Sequence, residues 1–230
     1  LDLLAHFNWD RPVYFAITAG EEAYAGLTDY FQVEGLAYRL VPIRTPSADG
    51  QFGRVNAEKM YTNLMERFRL DMSDPGLFMS NDHVRMAMNL RNSYGRLAFE
   101  LLQQGDTLRA REVCDRIVQA IPDASIPYNF FMIPVAEAYY GCGDQDKADT
   151  ILARLLETTT DDLRHYFRYP TRFAPSLDDN KRQALAVLNS ITEVSKRYQS
   201  TALSEQARTA LEDYYGRYVG QPGTSLPANP

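Results

Sequence analysis

Residues 94–122, YGRLAFELLQQGDTLRAREVCDRIVQAIP, share an internal pattern with residues 132–157, MIPVAEAYYGCGDQDKADTILARLLE. In each copy, large residues and one small residue lie on a helical face, a Gly-Asp turn follows, and a second helical face begins. The intervals between the shared positions are identical. The first copy has Tyr94, Leu97, Ala98, Leu101, Gly105, Asp106, Ala110, Cys114 and Ile117. The second copy has Met132, Val135, Ala136, Tyr139, Gly143, Asp144, Ala148, Leu152 and Leu155.

Paired helices that repeat in this way are typical of tetratricopeptide-type proteins. The pattern therefore predicts a mainly α fold, a tetratricopeptide-like helical hairpin array. A long helix is predicted from Asp82 to Gln104. The segments Asp179–Tyr198 and Ser204–Tyr218 repeat the small and large residues more loosely, which predicts a third hairpin or a closing cap. Between them, Thr158–Pro175 interrupts the pattern and predicts a short helix followed by an aromatic loop.

The N-terminal part of the chain has a different periodicity. Arg11–Thr18 and Leu36–Val41 alternate branched or aromatic residues in the manner of β-strands, and Pro42 ends the second strand. Leu27–Val33, between them, predicts a short helical turn. We expect the two strands to pair in a small β element, and we expect that element to pack on the helices because a two-stranded sheet is marginal alone.

Three segments follow from these patterns. Residues 1–55 form a small β-containing segment packed on the array. Residues 56–219 form the α-helical tetratricopeptide-like domain, with Asn56 as the cap of its first helix. Residues 220–230 contain three prolines and two glycines, and a disordered tail is expected there.

Composition excludes several classes of protein. The chain has 230 residues, of which 45% are hydrophobic and 23% charged, as expected of a globular protein. Its net charge of −6 argues against a nucleic-acid partner. No apolar run approaches the roughly 20 residues of a membrane-spanning helix, and Leu1–Leu4 lacks the basic start of a signal peptide. Because the sequence has no initiator Met, we expect it to be a piece of a longer protein.

Motifs for catalysis are absent from the sequence. The three histidines are far apart and not at zinc-ligand spacing, no glycine-rich phosphate loop is present, and no nucleophile motif is found. The acidic pairs Asp161-Asp162 and Asp178-Asp179 precede helical stretches, where carboxylates complement the helix dipole. We therefore expect no catalytic residue, no metal site and no cofactor. Cys114 and Cys142 leave a disulfide undecided, since pairing requires geometry that sequence does not supply.

The densest group of polar and aromatic residues lies in the first forty positions. Beside Asn8, the candidate binding surface consists of Trp9, Asp10, Arg11, Tyr30, Gln32, Glu34 and Arg39. A single Trp among polar residues suits contact with a sugar or a protein, because Trp buries a large area and keeps a polar group. The alternative is that Asp10 and Arg11 form the entry to a strand and that Trp9 lies in the core.

Two stretches in this region resemble a known family. Asn8–Ala16, NWDRPVYFA, and Asp29–Pro42, DYFQVEGLAYRLVP, resemble the region that follows the membrane part of large multi-spanning proteins of Bacteroidetes. That family has no established function and is similar to protein O-mannosyltransferases. The resemblance continues through Met60–Met65, Arg91–Ala98 and Pro127–Tyr140.

The resemblance implies a soluble C-terminal domain on the periplasmic side of the inner membrane. In such enzymes the catalytic carboxylate belongs to an early extracytoplasmic loop of the membrane domain, so no catalytic residue carries over to this chain. The first hypothesis is a non-catalytic accessory domain of a glycosyltransferase that uses a lipid-linked sugar. Its partners would be the membrane domain of the same polypeptide and an acceptor protein or glycan. The second hypothesis is a stand-alone periplasmic or outer-membrane helical-repeat binding module.

Overall fold

A computed structural model describes residues 6, 8–170 and 174–220 of the chain. The chain divides into two compact units, Leu1–Ile121 and Pro122–Pro230. The predicted fold class is confirmed, since the protein is mainly helical and carries a small N-terminal sheet. The predicted boundary between residues 55 and 56 stays a prediction. The predicted tail lies outside the described residues from position 221 onward.

The described part of the first unit contains a sheet of four short strands, β1 (Tyr14–Ala16), β2 (Phe31–Val33), β3 (Ala37–Leu40) and β4 (Arg54–Val55). Their order in the sheet is β1-β3-β2-β4. Strand β3 is antiparallel to β1 and β2, and β4 is parallel to β2. The predicted pairing of the two predicted strands is confirmed, since they contain β1 and β3, but β2 and β4 were not predicted.

The predicted helical turn over Leu27–Val33 is only half correct. A 3₁₀ turn spans Thr28–Tyr30, and the chain then extends into β2. Phe31 and Val33 are buried on either side of the partly exposed Gln32, so the pattern has the period of a strand. A strand of three residues is too short for this alternation to stand out in the sequence.

One face of the sheet is an aromatic core. Phe31 and Tyr38 stack with ring centroids 5.2 Å apart, and Tyr24 meets both rings edge-on at 5.3 and 5.6 Å. Phe15 joins at 5.0 Å from Phe31. Offset and edge-on contacts suit the ring quadrupoles, and burial of so much aromatic area stabilises strands that pair over only two to three residues each.

Three helices complete the first unit. Helix α1 (Ala57–Tyr61) begins after Asn56, whose side chain accepts from the Lys59 amide as predicted, and it continues into a π-helical turn over Thr62–Arg67. Helix α2 (Asn81–Gln103) confirms the long predicted helix. Helix α3 (Thr107–Ala120) packs against α2.

A buried arginine on α2 fixes the loop that precedes β4. Arg96 is 5% exposed, and its Nε donates to Asp49 Oδ2 at 2.5 Å. Its Nη2 donates to the Gly53 carbonyl at 2.6 Å. The amides of Gln51 and Asn92 also exchange two hydrogen bonds, at 2.9 and 3.2 Å. Composition predicted only a loop here, and the structure shows a loop held to α2 by a buried ion pair.

The described part of the second unit contains four α-helices, namely α4 (Ile133–Gly141), α5 (Gln145–Tyr166), α6 (Ala174–Arg197) and α7 (Thr201–Val219). The third hairpin is present, since α6 packs against α7. The predicted interruption at Thr158 is wrong, because α5 continues for two further turns with Thr159 and Leu163 buried. Of the predicted aromatic loop, residues 171–173 lie outside the described residues. No helix of the described residues is long and apolar enough to cross a membrane.

The positions shared by the two sequence copies form the cores of their hairpins. Every shared helical residue, from Tyr94 to Ile117 and from Met132 to Leu155, is at most 1% exposed. The turns are also equivalent. Gly105 and Gly143 have φ angles of 79° and 80°, and the next amide in each turn donates to the carbonyl five residues earlier at 2.9 Å. This is the Schellman end of a helix, which favours glycine because the left-handed conformation is strained for other residues.

The third hairpin has the same turn without the glycine. Gln199 has a φ of 62°, and the Ser200 amide donates to the Ser195 carbonyl at 2.9 Å. The geometry of this turn matches the other two, although its sequence has no glycine to indicate it.

Cys114 is buried in the first hairpin and Cys142 is partly exposed beside the second turn, and both are thiols.

We expect Gly143→Ala to lower the free energy of unfolding by about 1 kcal/mol, because the added Cβ meets nothing within 4 Å and only the backbone conformation is penalised. Gln199→Gly should raise it by about 0.5 kcal/mol, since relief of the left-handed strain exceeds the extra entropy of glycine. Urea denaturation measures both. Destabilisation by Gln199→Gly would contradict the shared turn geometry.

Asp49→Asn should destabilise the protein by about 3 kcal/mol, because it leaves the buried Arg96 without its counter-charge. Burial alone would raise the pKa of Asp49, but hydrogen bonds from Ser47 and Arg96 outweigh it and hold the pKa below its usual value. The stabilisation is thus present above about pH 4 and is lost as the pH falls further. Denaturation midpoints between neutral pH and pH 3 should show this loss only in the wild type. The control is Asp82→Asn, whose exposed bridge to Arg85 should matter little.

Candidate functional site

A row of polar side chains crosses the face of the sheet opposite the aromatic core. The strand register places Tyr14 opposite Arg39, Arg39 opposite Gln32, and Gln32 opposite Arg54. Paired residues of neighbouring strands lie on the same face, so the four side chains follow one line across all four strands. Two of the predicted residues, Gln32 and Arg39, are therefore neighbours.

Glu34 is the centre of this polar face. Its side chain is 6% exposed, and its Oε2 accepts from the Tyr14 hydroxyl at 2.9 Å. Its Oε1 accepts from Lys59 Nζ at 3.2 Å and from Arg39 Nη1 at 3.4 Å. The Asn63 side chain donates to the Glu34 carbonyl at 2.5 Å. A nearly buried carboxylate is stable here because three donors replace its water.

The phenol of Tyr14 is held in its neutral form. Burial, the hydrogen bond to Glu34 and the charge of Glu34 raise the pKa of Tyr14, and Arg39 opposes them. The neutral phenol donates a hydrogen bond to the Glu34 carboxylate, while 48% of Tyr14 stays exposed. The group therefore offers an aromatic surface fixed at its polar end.

A polar cleft of about 350 Å³ lies beside this cluster. It is lined by Tyr14, Glu34, Glu58, Lys59, Thr62, Asn63 and Arg67. Arg67 donates to Asn63 at 3.2 Å, and Glu58 is held from outside the cleft by two hydrogen bonds from Arg109, at 2.8 and 3.1 Å. Those bonds lower the pKa of Glu58. The lining carries charges of both signs, of which Glu34 is paired with Lys59 and Glu58 with Arg109.

The family comparison matches this part of the chain. Residues 1–59 are similar to the family TMEM260-associated domain 2. The match covers 59 of the 230 residues and includes the whole sheet, all seven predicted surface residues, and Lys59. No curated protein matches the chain, and no solved structure matches it.

Trp9, Asp10 and Arg11 lie in the exposed segment that leads into β1. The carbonyl of Val13 accepts from the Leu40 amide at 2.9 Å, so this segment enters the sheet beside the end of β3. Trp9 is 44% exposed and has a φ of 66°. Asp10 bonds the side chain of Asn8. The alternative is therefore correct in making Asp10 and Arg11 the entry to a strand, but wrong in placing Trp9 in the core.

Tyr30 belongs to a different part of the first unit. It ends the 3₁₀ turn before β2, and its hydroxyl lies close enough to the Arg44 guanidinium to raise the pKa of that group. Tyr30 therefore lies near Arg44, whereas Glu34 forms an ion pair with Arg39. The predicted surface residues thus form an entry segment, a Glu34 cluster and a Tyr30–Arg44 pair.

Sequence reasoning missed Tyr14 and Lys59 as partners of Glu34. The sequence pattern places Tyr14 only in a strand. The expected pairing of the two strands is the signal that could have placed it opposite Arg39. Lys59 lies 25 residues from Glu34 and is placed by the Asn56 cap, so no local pattern links the two residues. Among the described residues, no group of three or more His, Cys, Asp or Glu side chains could hold a metal ion.

We expect Trp9→Ala to lower the free energy of unfolding by no more than about 2 kcal/mol, because 44% of the residue stays exposed and only part of its apolar area leaves water on folding. Phe31→Ala should cost about 3–5 kcal/mol, since that ring is fully buried in the aromatic core. Chemical denaturation of both variants measures the difference. Equal losses for the two variants would contradict the surface position of Trp9.

Proposed function

We propose that this chain is a non-catalytic accessory domain of a membrane glycosyltransferase resembling protein O-mannosyltransferases. Support comes from the match of residues 1–59 to a domain associated with TMEM260, an O-mannosyltransferase-like membrane protein. In this proposal the domain lies on the periplasmic side of the inner membrane. It contacts the membrane domain of the same polypeptide, an acceptor protein or a glycan.

The observation that carries the proposal is the surface formed within the matched segment. Trp9 and Tyr14 are both close to half exposed, and Arg11, Gln32 and Arg39 surround the sheet entry or its polar face. Trp, Tyr and Arg are the residues most enriched among strong contacts at protein interfaces. Tyr14 on the polar face and Trp9 in the entry segment therefore make the matched segment a better contact surface than an average polar surface.

The chemistry of the Glu34 cluster favours contact over catalysis. Both carboxylate oxygens of Glu34 accept hydrogen bonds from donors of the same unit. A general base needs an oxygen within reach of a substrate proton. In the proposed role, Glu34 instead fixes Tyr14 and Arg39 so that less side-chain entropy is lost when a partner binds.

Crosslinking in the full-length protein tests the proposed contact. A photoreactive residue in place of Trp9 or Tyr14, in native membranes, should form adducts with the membrane domain of the same polypeptide or with an acceptor. The matched control is the same residue in place of Phe78, which is 89% exposed in the same unit but outside the matched segment. Equal adducts from all three positions, or none from positions 9 and 14, would contradict the proposal.

Enzyme assays test the non-catalytic part. The isolated chain should transfer no sugar from a lipid-linked or nucleotide-linked donor. Turnover by this chain alone would refute that part of the proposal. A native gene that encodes a lipoprotein signal and no membrane spans would instead favour the stand-alone binding module.

A further inference from the structure

A second pocket of about 390 Å³ lies in the first unit, on loops outside the Glu34 cluster. Its volume is in the range of small-molecule sites. The loops before and after the β2–β3 pair form its walls. It is lined by Thr28, Asp29, Arg44, Thr45, Pro46, Ser47, Gln51, Phe52 and Gly53. We call it the Phe52 pocket.

The walls of the Phe52 pocket are fixed in place. Thr45 donates from its amide to the Asp29 carbonyl at 2.8 Å and from its hydroxyl to the Phe31 carbonyl at 2.5 Å. The opposite wall is held where Arg96 bonds Asp49 and the Gly53 carbonyl. A pocket whose loops are already ordered loses little entropy when a ligand binds.

The ring of Phe52 is an exposed but anchored surface. It is 43% exposed, and it meets the buried Tyr24 ring at 6.4 Å with an interplanar angle of 74°. Phe52 also lines the pocket, so its ring supplies apolar area there. Such an aromatic surface suits a ligand that has a flat apolar side of its own.

The polar groups around the ring carry balanced charge. Asp29 and Arg44 are exposed and lie close enough for Asp29 to raise the pKa of the Arg44 guanidinium, after the larger effect of Tyr30. Gln51 is oriented by its two bonds to Asn92. A carboxylate can only accept hydrogen bonds, a guanidinium can only donate them, and an amide can do both. One negative and one positive charge do not select an anion or a cation.

We propose that the Phe52 pocket binds a neutral saccharide unit. A pyranose ring combines an apolar face of C–H groups, which packs on an aromatic ring, with neighbouring hydroxyls that both donate and accept. Asp29 would accept from such hydroxyls, and Arg44 and Gln51 would donate to them. The inference goes beyond the proposed contact role, because the Phe52 pocket and the Glu34 cluster share no lining residue.

Ligand-detected NMR and calorimetry on the whole chain test this site. The probes are the methyl glycosides of glucose, galactose, mannose and N-acetylglucosamine, with inorganic phosphate and a blocked dipeptide as comparison ligands. At least one glycoside should bind. Phe52→Ala and Asp29→Asn should each weaken its binding by about tenfold or more, as expected for loss of one well-made contact.

Controls separate loss of binding from loss of folding. Phe78→Ala removes an exposed ring outside the pocket and should leave glycoside affinity unchanged. Both pocket variants should keep the wild-type melting temperature, since Phe52 and Asp29 are exposed. No glycoside binding by the folded wild type would overturn the proposal. Binding of only phosphate or the dipeptide, or glycoside binding unchanged in both pocket variants, would also overturn it.

Discussion

The first unit depends on a charge that α2 buries. Arg96 is 5% exposed, and a guanidinium taken out of water needs partners for its charge and its hydrogen bonds. Asp49 and the Gly53 carbonyl supply them. The loop that contains both residues is therefore held against the helix, and β4 begins directly after it. The last strand of the sheet is thus placed by an ion pair of α2 rather than by its own two residues.

The two faces of the sheet are stabilised in different ways, one by aromatic packing and the other by hydrogen bonds to a carboxylate. Strands of two to four residues form few hydrogen bonds, so the sheet depends on what its faces contact. On one face, the rings of Phe15, Tyr24, Phe31 and Tyr38 pack against one another. On the other face, Tyr14, Arg39 and Lys59 converge on one carboxylate. Their mutual bonds keep a polar surface ordered without burying it, which leaves aromatic and cationic groups in defined positions for a partner.

The helices were predictable because their signal is local and repeated. Buried small residues and a glycine in a left-handed turn recur at identical intervals, and the shared positions are buried in both copies. The third turn did not show in the sequence because Gln199 replaces glycine at φ 62°. Strands β2 and β4 escaped prediction because three and two residues are too few for an alternating pattern to stand out. The surface residues were found by composition, but their grouping was not, since Glu34 meets partners 5, 20 and 25 positions away.

The same buried pair underlies both surfaces of the first unit. The Asp49 loop forms a wall of the Phe52 pocket, and its end becomes β4, which carries Arg54 into the polar row beside Gln32. The loop that both surfaces share is held by Arg96, and β4 is held by its pairing with β2. Because both are fixed before any ligand arrives, binding at either one requires little reorganisation. This order suits the proposed contact role, since recognition needs fixed positions of ordinary side chains rather than an activated one.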